Sequence, residues 1–447
     1  MRVIGIDDWS PRPGTVMQWT VHAAEPPRPS DVPPSFNQSA HLADTEDGST
    51  WLAAAFDVVG PVDVAALERA LAALISRHES LRTGFVRTPD GMSRVVHGRD
   101  ALGLLRGTDV AVTTSTRARE VLRSASREAC EPFSAPAFTF AAIDRSDTST
   151  VIAAFDHAHV DAYSLAVVID EIRRVYLGDT VDDPEPGSFV DYCLLESTSA
   201  AVRLDDPRVV SWVDFLRARG GAPPQFPLDL GVPPGRTDRC AIRVDTLMST
   251  DEAASFEACC REERASLYAG VLSAMAHAVR DLGGGSTLPL LFPLHTRTID
   301  AWRSAVGWFV TNAPLDVVVE NDMLATIRRT GPDLRRAVDL GAVPIPRVVE
   351  AAGGLNRPRK NVFMVSYVDY RRLPGHEEMR AVDAHHISNV TVADDAQFWI
   401  SRTVEGIALR SRFPDNPTAR RTVESFLRVV REHVAACTPS LPALAVT

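Results

Sequence analysis

Apolar runs of strand length alternate along the chain with segments whose apolar residues recur every three or four positions, a pattern of strands mixed with amphipathic helices. The run WLAAAFDVVG at 51–60 predicts a buried strand ending at a glycine. Pro61-Val62-Asp63 then opens a helix with Leu67, Ala70, Leu71, Leu74 and Ile75 on one face. A turn in RHESLRTGFV leads into a strand over 83–87, and a second amphipathic helix is predicted over 116–130. Residues 138–143 and 151–155 read as short strands, and SLAVVIDEIRRVY (164–176) as a helix with Ser164 placed to cap its first turn. The first fifty residues, rich in proline and polar groups, predict a strap over the surface rather than a core element.

From 177 to about 235 the pattern gives way to Asp, Pro, Gly and Arg, interrupted by a helix over 209–217, which places an inter-lobe region there. Beyond it come helices over 250–263 and 266–281, a strand over 287–294, a helix over 323–340 and a strand over 361–368. Strands over 388–392 and 397–409 and a helix over 418–436 close the chain. Both halves mix strands with long helices and no repeat is visible, so the predicted fold class is α/β (α+β) in two lobes. Residues 1–195 form the expected N-terminal lobe, 196–236 a linker region and 237–447 the C-terminal lobe.

Composition narrows the function by exclusion. A chain of 447 residues, 45% hydrophobic and 23% charged, buries a large core. Its formal net charge of −11, with no long basic run, repels a polyphosphate backbone, so nucleic acid is not an expected partner. No apolar run reaches the roughly 18–20 residues that span a bilayer, and MRVIGIDDWSPRPG lacks the order of a secretion signal. A cytoplasmic monomer is expected. The six cysteines, Cys130, Cys193, Cys240, Cys259, Cys260 and Cys437, show no metal-ligand spacing and read as reduced structural thiols.

The densest chemistry lies in DHAHVDAYS, where Asp156, His157, His159 and Asp161 fall within six residues between a strand end and a helix start. A histidine at a strand end, with an aspartate four residues on, is a workable base and orienter: the imidazole projects into a crevice while the carboxylate fixes the backbone. The spacing by itself does not separate this from a structural histidine. A metal site has less support, since no third ligand is near and His157 and His159 share a face only if the strand continues.

Read together, several segments carry a family resemblance. DHAHVDAYS resembles the H-H-x-x-x-D-G motif of the condensation-domain and chloramphenicol-acetyltransferase-like superfamily of CoA-dependent acyltransferases. RHESLRTGF (77–85) is similar to that family's R-H-E-x-L-R-T-x-F, and VGWFVTNAPL (306–315) to its I-G-x-F-V-N-T. SFNQSAHL around Gln38 and FVDYCLLES around Tyr192 are weaker matches, and all five keep the family's order. The opening WSPRPGTVMQW and the D-H start of the histidine motif look most like the stand-alone polyketide-associated (Pap) acyltransferases of actinobacteria.

The resemblance implies two chloramphenicol-acetyltransferase-like lobes in a V, with the active site in a tunnel between them. It implies transfer of an acyl group from a carrier-protein or CoA thioester to a hydroxyl or amine, in natural-product or lipid biosynthesis. No permanently bound cofactor is expected and no metal; the co-substrate would be acyl-CoA or the phosphopantetheinyl thioester of an acyl or peptidyl carrier protein. On this reading His157 is the general base, and none of the cysteines acts as a nucleophile, because a departing thiolate with a thiol pKa of about 8.5 needs little acid assistance. Asp161 is structural, paired across the lobe boundary with Arg297 of LHTRT.

Two positions depart from the pattern: Asp156 stands for the first histidine and Ala162 for the glycine. Asp156 and His159 are expected to be bystanders. Ala162 keeps an N–H for an oxyanion but does not adopt positive φ cheaply, so the oxyanion donor is left open between the Ala162 amide and a polar group of the second lobe. Ser164, Trp308 and Asn312 are expected to line the site. RPRK (357–360) is either a solvated turn or a contact for a phosphopantetheine phosphate or carrier-protein acids, and His385 and His386 are structural or tunnel-lining. The alternative function is a non-catalytic docking module that recruits a carrier protein or tailoring enzyme; retention of both His157 and Asp161 argues against it.

Overall fold

Residues 51–60 form the strand expected of them, Trp51–Val59, and its neighbours explain the apolar runs around it. A computed structural model describes residues 1–44, 50–89, 91–179, 184–198, 202–389 and 392–437. Residues 180–183, within the Asp/Pro-rich stretch, and 390–391, within the strand expected over 388–392, lie outside the described residues.

By contacts the chain divides into two units. The first comprises 1–201, 295–310 and 370–391, and the second 202–294, 311–369 and 392–447. This differs from a sequential division at 195 and 237. Two later stretches join the first unit, and the region 196–236 is no free linker: the helix Pro207–Arg217 buries Val209, Trp212 and Phe215 in an apolar cluster with Val343 and Val348 of the second unit.

The first unit is built on an eight-stranded sheet in the order Arg2–Gly5, His385–Asn389, Trp51–Val59, Thr148–Asp156, Phe138–Asp144, Gly14–Ala23 and Leu102–Arg106, with Val110–Val112 also paired to Gly14–Ala23. The first two strands are parallel and the remaining pairs antiparallel. One face packs Trp51, Ala53, Ala55, Ile152 and Ala154 on Ala118 and Leu122 of the helix Ser115–Ala129. The helices Val64–Arg77 and Ala162–Tyr176 pack on each other, and the second also on Trp51–Val59. Leu67, Ala70, Leu71, Leu74 and Ile75 are buried as the spacing predicts, behind an Asp63 cap that accepts from the Ala66 amide.

The first fifty residues overturn the expectation of a surface strap. Arg2–Gly5 and Gly14–Ala23 are sheet strands, and Val16 and Trp19 are wholly buried, with the Trp19 indole donating to Glu68 at 2.9 Å. Most of the prolines that suggested a strap lie in the loops around these strands, and Pro29 lies in the short strand Arg28–Ser30.

The second unit has a five-stranded sheet in the order Val365–Asp369, Gln397–Thr403, Gly406–Pro414, Asp238–Met248 and Val392–Ala393, and a separate strand pair, Thr287–His295 with Val310–Val318. The helices Thr250–Glu262, Leu267–Asp281, Met323–Leu340 and Pro417–Ala436 share its core. The long strand expected over 397–409 is a hairpin instead. Gly406 turns it at φ 123°, where an added Cβ would collide with the Met248 carbonyl. Of the strand expected over 361–368, only Val365–Asp369 is extended into a ladder.

The buried N-terminal strand is directly testable. Trp19→Ala should lower the free energy of unfolding by about 3–5 kcal/mol, as a large core deletion does. A denaturant midpoint that does not move would return the segment to a surface strap.

Candidate active site

The strand Thr148–Asp156 is buried along nearly its whole length and delivers the DHAHVDAYS segment at its end. His157 to His159 make one tight helical turn, and the helix Ala162–Tyr176 begins three residues later. Asp161, not Ser164, caps that helix: its carboxylate accepts from the Ser164 amide at 2.7 Å.

Asp161 is 4% exposed and its two oxygens are fully engaged. Oδ1 accepts from the Ser164 amide and from Arg297 Nη2 at 3.0 Å, with the Ser164 hydroxyl at 2.8 Å; Oδ2 accepts from Arg297 Nη1 at 2.6 Å and from the Phe309 amide at 3.1 Å. The guanidinium of Arg297 also lies over the Tyr163 and Phe309 rings and donates to the Gly307 carbonyl. Such bidentate, charge-assisted pairing fixes both groups in one geometry. Arg297 belongs to the same contact unit as Asp161, so the pair does not cross the division between units as expected. Ser164 serves the same junction: its hydroxyl accepts from the Gly307 amide at 3.0 Å and lies 2.8 Å from the Gly307 carbonyl. Gly307 is required by space, since an added Cβ would stand 2.5 Å from the Phe189 ring.

This junction seats residues 305–309 beside His157. The Trp308 indole stacks on the His157 imidazole with ring centroids 3.9 Å apart and planes 19° apart. Nδ1 of His157 lies 2.9 Å from the Val160 carbonyl, which only accepts, so Nδ1 carries the hydrogen and Nε2 the lone pair. Burial first, and then the charge of His41, lower the His157 pKa to about 4, so the ring is neutral at neutral pH.

His159 is turned inward, its Nδ1 donating to the Ser80 carbonyl at 2.9 Å, and burial pushes its pKa down. Asp156 is no bystander. It is fully buried, accepts from the Ala158 amide, and holds Nε2 of His41 at 3.0 Å from both carboxylate oxygens. The sequence reading missed His41, which lies three residues beyond Gln38 in SFNQSAHL and so shares a helix face with it. The available signal was Asp156 itself: a carboxylate at a buried strand end requires a donor.

The other resembling segments brace this one. Gln38 donates to the Ala158 carbonyl at 2.8 Å from a helix, Phe36–Ala43, begun by a Ser35–Gln38 capping box. In RHESLRTGF, Ser80 donates to the His159 carbonyl, while His78 meets Glu171 at 2.8 Å and accepts from the Val306 amide. Phe189 meets the Phe309 ring edge to face, and Tyr192 packs against it at a tilt.

Ala162 is the first helical residue, and its φ is not positive; its amide stands at the positive end of the helix, and the missing glycine creates no strain. Asn312 lies on Val310–Val318 in the second unit. Arg359 of RPRK donates to the Asp394 and Val232 carbonyls and to Gln225. His385 and His386 are buried in the sheet of the first unit. Among the described residues no cluster of three or more His, Cys, Asp or Glu side chains suits a metal ion, and no helix is long and apolar enough to cross a membrane.

Removing Asp161 strands a buried guanidinium. Asp161→Ala should cost about 3–5 kcal/mol of stability, while Asp161→Leu combined with Arg297→Met should cost less than the single change. A thermal-unfolding cycle showing additive losses would contradict the pairing as the source of the effect.

Comparison with known proteins shows the family to which the chain belongs. The condensation-domain family matches residues 39–403. The 2'-acyl-2-O-sulfo-trehalose (hydroxy)phthioceranyltransferase PapA1 of Mycobacterium tuberculosis is 28% identical, with the alignment covering 95% of this chain and 86% of the relative. The trehalose-2-sulfate acyltransferase PapA2 of Mycobacterium bovis is also 28% identical, over 95% of this chain and 94% of the relative. Among solved structures, a PapA2 acyl transferase superposes with a TM-score of 0.89 at 24% identity, covering 98% of this chain and 100% of that one. With the family matched over most of its length and acyltransferases aligned along nearly all of it, this chain belongs to the condensation-domain family and is an acyltransferase.

Proposed function

We propose that the chain moves an acyl group from a CoA or carrier-protein thioester to a hydroxyl of a trehalose-type sugar, in assembly of a lipid. The observation that carries this reading is the hydrogen bond from His157 Nδ1 to the Val160 carbonyl, which leaves Nε2 as a proton acceptor on a ring held against Trp308. The sugar acceptor is favoured over an amine because the aligned PapA1 and PapA2 are named for trehalose derivatives.

In the proposed reaction Nε2 takes the proton of the acceptor hydroxyl as its oxygen attacks the thioester carbonyl. The tetrahedral adduct then collapses, the C–S bond breaks, and the thiolate leaves and recovers the proton from the imidazolium. The Trp308 face stabilises the imidazolium while it exists. No acyl-enzyme forms, in keeping with the raised pKa of the buried Cys130 and Cys193 thiols, which burial keeps protonated. Asp161 and Arg297 hold the loop and take no proton. The amide of Ala162 at the helix N-terminus is the proposed oxyanion donor.

Incubation with a long-chain acyl-CoA and trehalose 2-sulfate, read by mass spectrometry, should show an acylated sugar. His157→Ala should lower turnover by about 10²- to 10⁴-fold with an unchanged unfolding temperature; a folded variant of full activity would sink the mechanism. Because the His157 pKa lies near 4, its basic form persists as pH falls well below 6.5. The kcat/KM profile should therefore stay level from pH 8 to 6 and fall only in more acid solution, whereas an acid limb centred at 6.5 would contradict the assignment.

A further inference from the structure

One group at the site has no part in the proton transfer just described. His41 stands on the helix Phe36–Ala43, its ring centroid 6.2 Å from that of His157, and it meets Trp308 edge to face at 6.0 Å. Its Nε2 is 3.0 Å from both oxygens of Asp156, whose side chain has no exposure. A buried carboxylate in that setting is tolerable only with a donor, and a protonated imidazole satisfies it in both charge and hydrogen bonding.

We infer that His41, held by Asp156, is a positioning residue that keeps His157 the neutral, proton-accepting member of the histidine pair. The inference rests on His157 being the base. Two imidazolium rings so close repel each other, so a charge fixed on His41 leaves His157 uncharged. The same repulsion shortens the life of the imidazolium formed during attack and favours return of its proton to the departing thiolate.

For His41, burial acts to lower the pKa, but the charge and hydrogen bond of Asp156, with a smaller pull from Asp44, overcome it and the net shift is upward. For His157, burial and then the His41 charge lower the pKa, against weaker opposing effects of backbone hydrogen bonds, including that to Val160, and of the Asp156 charge. His159 acts on Asp156 in the same sense as His41, and Arg94 bears on His159.

The test uses the full chain with ¹⁵N-labelled histidines, so that protonation is read without substrate. In the wild type, His41 should remain protonated above pH 6.5 while His157 stays neutral down to about pH 5. In His41→Gln the His157 titration should move up by roughly 0.5–2 pH units, the range expected for losing a unit charge about 6 Å away. The acid limb of kcat/KM with acyl-CoA and trehalose 2-sulfate should move with it. His41→Lys, which restores a cation, should bring both back toward the wild-type position. A His157 titration that ignores the His41 charge, or wild-type rings that titrate together near 6.5, would overturn the inference. Loss of activity in His41→Gln with an unmoved titration would also overturn it, because a merely structural role gives that result. If His157→Ala retained full turnover, the proposed base would fall; an inactive His157→Ala beside an unmoved titration would leave the base in place and refute only the role of His41.

Discussion

The carboxylate of Asp161 receives Arg297, the Ser164 amide and the Phe309 amide in a space closed to water. Each partner belongs to a different part of the chain: the start of the helix Ala162–Tyr176, the loop after Thr287–His295, and the approach to Val310–Val318. A buried ion pair of this kind contributes little net stability over apolar groups, yet removing either half is strongly destabilising. Its effect is therefore on geometry. It brings residues 305–309 against the turn after Thr148–Asp156, so that Trp308 covers His157. The His157 ring is oriented by its own hydrogen bond to the Val160 carbonyl, and the junction adds the Trp308 face against it.

The resembling segments gain a shared physical meaning from this arrangement. The Gln38 segment and RHESLRTGF tie down the backbone of residues 158 and 159, FVDYCLLES supplies rings against Phe309, and VGWFV needs its glycine because Phe189 occupies the space of a Cβ. They describe one packed junction around a single imidazole. The motif aspartate sits at the centre of this junction, engaged by Arg297, the Ser164 amide and the Phe309 amide, so its proposed role is to hold the loop.

How much was legible in the sequence follows from the range of the interactions. Helix faces such as Leu67 to Ile75, and the strands over 51–60 and 138–143, depend on local periodicity and were readable. The pairing of Asp161 with Arg297 came from the family resemblance, because nothing local links positions 136 residues apart. The N-terminal strand Gly14–Ala23 was masked by flanking prolines, and its burial depends on pairing with Phe138–Asp144 far along the chain. The division into units failed for the same reason, as residues 295–310 and 370–391 leave the half in which they are encoded. His41 was hidden because its importance comes from Asp156, and a 115-residue separation carries no period or motif.

The proposed reaction depends most on the state of one ring: a His157 with its hydrogen on Nδ1 and a free lone pair on Nε2. Nitrogen chemical shifts of the ¹⁵N-labelled His157 imidazole at pH 7, assigned by comparison with His157→Ala, report that state directly. A neutral ring with Nδ1 protonated and Nε2 bare is the predicted result. A ring protonated on both nitrogens, or a neutral ring with the hydrogen on Nε2, would leave no base at that position and contradict the account.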